Sequence, residues 1–537
     1  MPLLRRIPVA AVSAVMLASN LATAGAVASA QTPDTPPVCS SSQPELRYLV
    51  LFDGGTTHRS AAAEIAAACG TLTGYYPQIA VAVATSTDQR FDQRLGPDRA
   101  FSAQRVVEER QADDQDEDDD ETESSGARVT ENAAAVPAVD RTSEQWDMAM
   151  IGADTARAIS RGDRDVVVGV LDSGVDPHHP DLRGALAPSL SAGCLSGVPD
   201  TAPDAWIPTA SAHGTHVAGT IAAADDGRGT AGVAPGVRIA SVKVVDDEGF
   251  ILPEYAVCGL MWATAKKMAV TNNSYFVDPW LMTCDRGSER VVFEAVRRAV
   301  DYATTQGVLT VAAATNEATD LSAPGGRTDT SESEEPRTLD TSCRVLPAGL
   351  RGVVAVSAVG QNELKASYSA YGLGVIDVAA PGGEPKEISQ PAGAESATRP
   401  EDGCVLSTVP GGYERYCGTS MAAPHVTGVA ALLASEHPDA SPQKLTRMLT
   451  DQAEPIGCPA DYDLDETGAQ DAYCEGYEPY NGFYGHGLVD AEAAVSEDAA
   501  PAMATAGNGS GDEPASAEDD TPGDDVVTQG TPALPTR

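Results

Sequence analysis

Runs of apolar residues recur along the middle of the chain, and stretches with helical spacing separate them. Five of these runs lack polar alternation, and they occupy residues 165–172, 238–245, 268–272, 308–313 and 353–358. Such runs are typical of strands that are buried on both faces of a parallel sheet. The helical stretches occupy residues 216–224, 256–267 and 290–305. This alternation predicts an α/β fold in which helices flank a mostly parallel central sheet.

A smaller unit precedes this pattern. Residues 48–52 and 79–84 form two strand-like apolar runs, and the alanine-rich stretch 60–69 between them has helical character. Strands and a helix in this order, with little visible chemistry, predict a small α+β domain within residues 31–110.

Two acidic segments bound the predicted domains. Residues 113–123 carry nine acidic residues and no basic one, and residues 497–537 carry nine acidic residues and one arginine. Segments of this composition cannot bury enough apolar surface to fold. We therefore predict a disordered linker over 111–144, a second folded domain over 145–496 and a disordered tail over 497–537.

The charge balance narrows the possible function classes. The formal net charge is −43 at pH 7, and the central part of the chain stays acidic when both acidic segments are set aside. Such a surface repels phosphate backbones, which argues against a nucleic-acid partner. It suits a soluble secreted protein.

The N-terminus has the pattern of a secretory signal peptide over residues 1–30. Arg5 and Arg6 precede an apolar stretch over 7–27, and Ala-Ser-Ala at 28–30 forms a small-x-small cleavage site. A transmembrane anchor is the alternative, because the stretch is nearly long enough to span a bilayer. The cleavage pattern favours the signal peptide. We therefore expect an extracellular protein that has no membrane contact once the signal is removed.

Ten cysteines in an exported chain are expected to form disulfides. Two lie before the acidic linker and eight lie after it, so each side can form its bridges independently. The short-range pairs Cys404–Cys417 and Cys458–Cys474 are the favoured partners, and the pairing of the remaining four after the linker stays open. A metal cluster is the weaker alternative, because no Cys-x-x-Cys or histidine-rich spacing supports it.

Three short motifs carry side chains suited to nucleophilic catalysis. Asp172 ends an apolar run in Leu-Asp-Ser-Gly, His213 opens a small-residue helix in His-Gly-Thr-His, and Ser420 opens another in Gly-Thr-Ser-Met. Ligands of parallel sheets bind beyond the carboxyl ends of the strands. A serine hydroxyl needs a base and an orienting acid to attack a carbonyl carbon. The open N–H groups of a helix N-terminus also favour developing negative charge.

In this order, the three motifs resemble those of the subtilisin-like serine peptidases (subtilases), and the resemblance extends over roughly residues 145–495. It implies that Ser420 is the nucleophile and that His213 acts as general base and then as general acid. It also implies that Asp172 holds the imidazole in the correct tautomer. No catalytic cofactor is implied.

The resemblance continues into the expected substrate cleft, with two departures. Asn316 matches the oxyanion-hole asparagine of the family, but Thr315 precedes it where a glycine is usual. Ser274, Tyr275 and Phe276 match the substrate-lining segment, and Phe276 replaces another glycine. We expect Phe276 to narrow the cleft, so the cleavage specificity cannot be carried over from the family.

The resemblance also concerns residues outside the cleft. His216 and His425 match packed positions. The loop over 224–230 resembles a calcium-binding loop of the family, and Asp181 matches its remote carboxylate partner. Asp181, Asp226 and loop carbonyls would then supply oxygens to a structural Ca²⁺. A solvated acidic turn is the alternative.

The N-terminal unit resembles the inhibitor-type propeptide of the family, which assists folding and blocks the cleft until it is cut. Slow pairing of distant parallel strands gives a secreted protease reason to carry such a partner. The resemblance implies a zymogen that is processed between about residues 108 and 145 and then hydrolyses protein or peptide substrates. Two alternatives stay open, namely a non-catalytic binding protein on a degenerate scaffold and a processing peptidase with one narrow target.

Overall fold

The computed structural model describes Cys39 and residues 44–114, 139–325, 328–329, 337–385, 403–464 and 467–496. The predicted signal peptide and the predicted tail lie outside the described residues, as does most of the predicted acidic linker.

The strands are, in chain order, β1 (Leu46–Leu51), β2 (Thr71–Tyr76), β3 (Val81–Ser86), β4 (Ala100–Phe101), β5 (Val167–Asp172), β6 (Ala192–Gly193), β7 (Arg238–Lys243), β8 (Val270–Asn273), β9 (Thr283–Cys284), β10 (Leu309–Ala313), β11 (Thr328–Asp329), β12 (Arg337–Thr338), β13 (Cys343–Arg344), β14 (Val353–Val359), β15 (Val378–Pro381), β16 (Val405–Val409), β17 (Gly412–Tyr416), β18 (Gly476–Tyr477) and β19 (Tyr480–Asn481).

The α-helices are α1 (His58–Ala67), α2 (Phe91–Leu95), α3 (Ala103–Asp114), α4 (Trp146–Met150), α5 (Ala153–Ile159), α6 (His213–Ala222), α7 (Pro253–Ala265), α8 (Glu289–Thr305), α9 (Thr419–Glu436), α10 (Pro442–Gln452) and α11 (Ala491–Val495). Two short 3-10 helices lie at Thr142–Glu144 and Pro188–Leu190. Helix α3 continues into the acidic segment, so the first two acidic residues of 113–123 are helical.

Seven parallel strands form the main sheet in the order β15-β14-β10-β8-β5-β7-β6. Each of the five apolar runs coincides with one of these strands, of which β8 and β14 extend one residue further, and this confirms the α/β prediction. The edge strands β6 and β15 were not predicted, because they have only two and four residues.

Alternate side chains of β5 enter two different cores. Val168 and Val170 pack in the core that contains α6 and α9, whereas Val167 and Leu171 pack in the core that contains α7 and α8. All six residues of β5 are buried. Each buried Val or Leu side chain contributes about 1.5–3 kcal/mol. Burial on both faces explains why the run shows no polar alternation.

The N-terminal unit is an antiparallel sheet in the order β2-β3-β1-β4. One face of this sheet packs with α1 in a core of its own. The other face packs against α7 and α8, where Val81, Val83 and Phe101 join the core beneath these helices. The N-terminal unit therefore lies on the side of the main sheet that α7 and α8 cover.

Polar contacts reinforce this packing. The guanidinium of Arg298 on α8 donates to the carbonyl oxygens of Phe52 and Ile79, at 3.0 and 3.1 Å. The hydroxyl of Tyr76 donates to the Gly197 carbonyl oxygen at 2.7 Å. These hydrogen bonds join the N-terminal unit to α8 and to the segment after β6.

All ten cysteines form disulfides. The favoured pairs Cys404–Cys417 and Cys458–Cys474 are confirmed. The other bridges are Cys39–Cys69, Cys194–Cys258 and Cys284–Cys343. Within the described part of the chain, no helix combines the length and the apolar character needed to cross a bilayer.

Candidate active site

Asp172 and His213 meet at the carboxyl edge of the main sheet. Asp172 is the last residue of β5 and is 1% exposed, and His213 is the first residue of α6. Nδ1 of His213 lies 2.8 Å from Oδ1 of Asp172. Gly214 permits this approach, because a Cβ at that position would lie 2.5 Å from the Gly174 carbonyl oxygen.

The carboxylate fixes the protonation of the imidazole. A carboxylate only accepts hydrogen bonds, so Nδ1 of His213 donates to Asp172 and Nε2 carries the free lone pair when the ring is neutral. Burial alone would lower the pKa of His213, but the charge of Asp172 and its hydrogen bond outweigh burial and raise that pKa. The ring is therefore a stronger base than an isolated histidine.

Ser420 lies on the same cavity as this pair, at the N-terminus of α9. The cavity has a volume of about 750 Å³, and Asp172, His213, Asn316 and Ser420 all line it. Within the described residues, the Ser420 hydroxyl donates to the Ser274 carbonyl oxygen at 3.3 Å rather than to His213. Rotation of the side chain about χ1 changes the acceptor, and such hydrogen bonds often tighten only when substrate binds.

A proline in α9 helps to hold Ser420. Pro424 has no N–H group, so it cannot bond the carbonyl oxygen four residues earlier, which belongs to Ser420. The hydroxyl of Ser274 donates to that carbonyl instead, at 2.8 Å, and in turn accepts from the side chain of Asn272 at 2.9 Å. The end of β8 is thereby tied to the backbone of the candidate nucleophile.

The orientation of Asn316 follows from its neighbours. Its Oδ1 accepts from the backbone N–H of Thr419 at 2.9 Å and from the Thr419 hydroxyl at 2.8 Å. The amide Nδ2 is therefore the group that remains available to a molecule in the cavity. Thr315, immediately before it, has a φ of 100°. This value lies in the region that favours glycine, so the replacement of the usual glycine leaves a strained backbone.

The three candidate substrate-lining residues differ in environment. Ser274 binds Ser420 as described. Tyr275 lines the cavity but is only 7% exposed, and its hydroxyl donates to Asn273 at 2.9 Å. Burial raises the pKa of Tyr275 strongly, so this side chain belongs mainly to the core. Phe276 is half-buried and also lines the cavity.

The other two motif histidines are packed, in agreement with the sequence. His216 faces the carbonyl oxygens of Val405 and Glu414 and stacks on Tyr416. Burial lowers the pKa of His216 to about 3, so the ring is neutral. Nε2 of His425 lies 3.0 Å from Oδ2 of Asp147, a residue that the sequence did not single out.

The loop after β7 brings further acidic residues to the cavity. Asp246, Asp247 and Glu248 line it together with the Ser274–Phe276 segment. Asp247 accepts from Thr209 and from Lys243, so part of this charge is compensated within the protein. The sequence carried a usable signal for this loop, since an Asp-Asp-Glu-Gly stretch follows a predicted strand at its carboxyl end.

The candidate calcium residues form a separate cluster. Oδ2 of Asp181 accepts from the Tyr413 hydroxyl at 2.9 Å and from the backbone N–H of Thr230 at 3.2 Å. Burial raises the pKa of Asp181, and the charge of Asp226 adds to this effect. The buried hydroxyl of Thr230 has no hydrogen-bond partner among the described residues. The same part of the chain contains no group of three His, Cys, Asp or Glu side chains suited to a metal.

This donor set still suits Ca²⁺. Calcium takes six to eight oxygen ligands, many of them neutral carbonyl or hydroxyl groups. Asp181, Asp226, the Thr230 hydroxyl and loop carbonyls would supply such oxygens, and a cation would relieve the unfavourable burial of the Asp181 charge.

Comparison with known proteins gives consistent results. The chain is 32% identical to Fervidolysin from Fervidobacterium pennivorans over 322 residues, which is 58% of this chain and 40% of that protein. It is 36% identical to Subtilisin NAT from Bacillus subtilis subsp. natto over 275 residues, which is 51% of this chain and 56% of that protein. The chain thus covers about half the length of these relatives.

Structural comparison supports the fold alone. The epidermin leader peptide processing serine protease from Staphylococcus aureus aligns with a TM-score of 0.58 at 21% identity, covering 84% of this chain and 98% of that one.

A model of the subtilase family matches residues 163–487, which is more than half of the chain. The chain therefore belongs to the subtilase family.

Proposed function

We propose that this chain is a serine endopeptidase that hydrolyses peptide bonds of protein or peptide substrates. The observation that carries the proposal is the 2.8 Å contact between His213 and Asp172 on the cavity that Ser420 and Asn316 also line. Base, orienting acid, nucleophile and amide donor are the groups that acyl transfer requires.

The reaction proceeds in two balanced halves. Oγ of Ser420 attacks the carbonyl carbon of the substrate while its proton passes to Nε2 of His213. The negative charge on the carbonyl oxygen is stabilised by Nδ2 of Asn316 and by the open N–H groups of α9. The C–N bond then breaks, and His213 gives its proton to the departing amine. Water then attacks the acyl-enzyme by the same steps, with His213 again acting as base and then as acid. This releases the carboxylic acid product and free Ser420.

Hydrolysis of casein by purified protein tests this proposal. We expect proteolysis that Ser420→Ala abolishes, because the proposed acyl-enzyme forms on the Ser420 hydroxyl. Ser288→Ala is the matched control, since it removes the hydroxyl of an exposed serine that does not line the cavity. Equal proteolysis by the parent and Ser420→Ala proteins would instead support the alternative of a binding protein on a peptidase scaffold.

We further propose that the chain is made as a secreted zymogen. Residues 1–30 are the signal peptide, the unit within 31–110 is an intramolecular inhibitor, and processing occurs in the linker between about 108 and 145. Arg298 contacts Phe52 of this unit, and Tyr76 of this unit contacts Gly197; both contacts support an inhibitor that stays bound after cleavage. N-terminal sequencing of secreted protein is the test. The parent chain should begin within the linker, and Ser420→Ala should keep the unit attached.

We also propose a structural calcium ion at Asp181 and Asp226. Its role would be to offset the buried charge of Asp181 and to hold the loop over 224–230. No step of the reaction depends on it. Thermal unfolding with and without a chelator tests this proposal independently of activity.

A further inference from the structure

Two side chains stand at the candidate active site where the family pattern has glycine. Phe276 follows β8, and Thr315 follows β10. Both line the cavity that contains Ser420. A ring and a branched side chain thus occupy space that two glycines would leave open.

The sheet register places these two residues at the same level. β8 and β10 are adjacent and parallel, and Asn272 pairs with Val311 and Asn273 with Ala312. Each chain continues three residues beyond the second pair to reach Phe276 and Thr315, respectively. The two residues therefore lie at the same level beyond neighbouring strands, and both line the space at the two strand ends.

This space receives the acyl side of a bound substrate. His213 protonates the departing amine, so the amine side of the scissile bond lies toward His213. The carbonyl oxygen lies toward Asn316, which directly follows Thr315. The side chain that precedes the scissile bond is therefore directed between the two strand ends, toward Phe276 and Thr315.

The backbone at Thr315 adds an independent observation. A β-branched residue at a φ of 100° is a true outlier, and such strain persists only where the surroundings enforce it. The Thr315 carbonyl accepts from the backbone N–H of Ala370 at 3.0 Å, which helps to hold this conformation. The side chain is 7% exposed, and its hydroxyl has no hydrogen-bond partner among the described residues. A glycine at position 315 would relieve this strain. We therefore attribute the presence of threonine to the part of the cavity that its side chain fills.

We propose that Phe276 and Thr315 close the space beside Ser420, so that the enzyme accepts only a small residue, such as glycine, alanine or serine, immediately before the scissile bond. This inference rests on the proposed peptidase function. It assigns to Phe276 and Thr315 the role of specificity-determining residues for that reaction.

Peptide p-nitroanilides that differ only in the residue before the scissile bond test the proposal. The processed parent enzyme should cleave the alanine substrate at least 100-fold faster than the phenylalanine substrate in kcat/KM, a discrimination that an occluding wall can supply. Phe276→Gly should raise the phenylalanine-to-alanine ratio at least 10-fold, and Thr315→Gly should raise it less. Thr315→Gly should also raise Tm, because it removes the backbone strain.

Phe293→Ala is the matched control. Phe293 is a half-buried aromatic residue on α8 that packs against the same core but does not line the cavity. Phe293→Ala should leave the phenylalanine-to-alanine ratio of kcat/KM unchanged. Equal cleavage of both substrates by the parent enzyme, or an unchanged ratio in Phe276→Gly, would overturn the proposal. The substrate preference of the parent enzyme tests the proposal by itself, even if a variant fails to fold.

The proposed specificity and the proposed peptidase function can be refuted separately. Labelling of Ser420 by a fluorophosphonate that carries only a small alkyl group reports the nucleophile without reference to the substrate side chain. Labelling of Ser420 together with efficient cleavage of the phenylalanine substrate would refute the proposal that Phe276 and Thr315 close this space. It would leave the peptidase function intact. Absence of both labelling and cleavage of every substrate would refute the peptidase function itself.

Discussion

Nε2 of His425 lies 3.0 Å from Oδ2 of Asp147, and both side chains are fully buried. Nδ1 of the same ring lies 2.8 Å from the Met421 carbonyl oxygen, which can only accept. The ring therefore donates to the carbonyl through Nδ1 and places Nε2 against the carboxyl group. This pair joins helix α4 to the first turns of α9, one turn after Ser420.

Removal of the acid from this pair should be strongly destabilising. We expect Asp147→Ala to cost about 3–5 kcal/mol in the free energy of unfolding, because it leaves a buried imidazole without its partner. Urea unfolding measures this change. The control is Asp439→Ala in the loop after α9, an exposed aspartate whose removal should change stability by less than about 0.5 kcal/mol. Equal effects of the two substitutions would contradict a structural role for the pair.

The pH dependence of activity should report His213. The base must be neutral to accept a proton, so kcat/KM should rise with pH through the pKa of His213, above the ordinary value of 6.5. Asp172→Asn removes the charge that raises this pKa and leaves burial, which lowers it. We expect the acidic limb to move to lower pH and the rate to fall about 10⁴-fold. If the acidic limb of the kcat/KM profile stays at the same pH in Asp172→Asn, the limb reports the titration of a group other than His213.

The raised pKa of His213 also makes the stability of the folded state depend on pH. Protonated His213 beside Asp172 stabilises the folded state below the unfolded-state pKa of 6.5. This contribution is lost as pH rises through the folded-state pKa.

Asn316 should act mainly on the transition state. Asn316→Ala removes a donor to the developing oxyanion, so kcat should fall about 10²–10³-fold with little change in KM. Thr419→Val keeps the amide but removes one of the two donors that orient it, and it should lower kcat about 10-fold. Steady-state kinetics on one peptide substrate compare the two. A change confined to KM would contradict the oxyanion role.

Lys365 should make stability depend on pH. Its side chain is 1% exposed and lies about 5 Å from the rings of three residues, Tyr371, Tyr462 and Phe483. Burial lowers the pKa of Lys365 to about 7, against 10.5 for the ordinary side chain. The folded state thus binds fewer protons between these values, and stability should rise with pH across them. Lys365→Met should remove this rise in urea unfolding, whereas a persistent slope would exclude Lys365 as its source.

Calcium removal should lower thermal stability. Chelation should reduce Tm by several degrees, since a ligand that binds only the folded state stabilises it. Asp181→Asn should lower Tm and make it insensitive to chelation, whereas Asp320→Asn, which changes a half-buried acid in the loop after β10, should keep the sensitivity. If Tm is the same with and without chelator in the parent protein, the cation assignment is wrong.

The sequence identified the parts of the molecule that have strong local patterns. The five central strands were predictable because burial on both faces leaves continuous apolar runs, and Asp172, His213 and Ser420 were predictable because they follow strands or open helices in distinctive motifs. The short pairs of cysteines were predictable because they close small loops.

Features that depend on distant contacts were not predictable. Asp147 and His425 are 278 residues apart, and nothing local marks an aspartate in a five-residue helix as a partner for the serine helix. Cys194–Cys258 and Cys284–Cys343 are separated by 64 and 59 residues, so sequence could not choose between them and other pairings. The hairpin of β16 and β17 was missed because its second strand is mostly polar and half-exposed.

The central claim is that Ser420 is a nucleophile activated by His213. Incubation of the processed protein with a fluorophosphonate, followed by digestion and mass spectrometry, tests it most directly. We expect one adduct per molecule, located on Ser420, with much slower labelling in Asp172→Asn and none in Ser420→Ala. An unlabelled Ser420 in folded, processed protein, or an adduct on another residue, would contradict it.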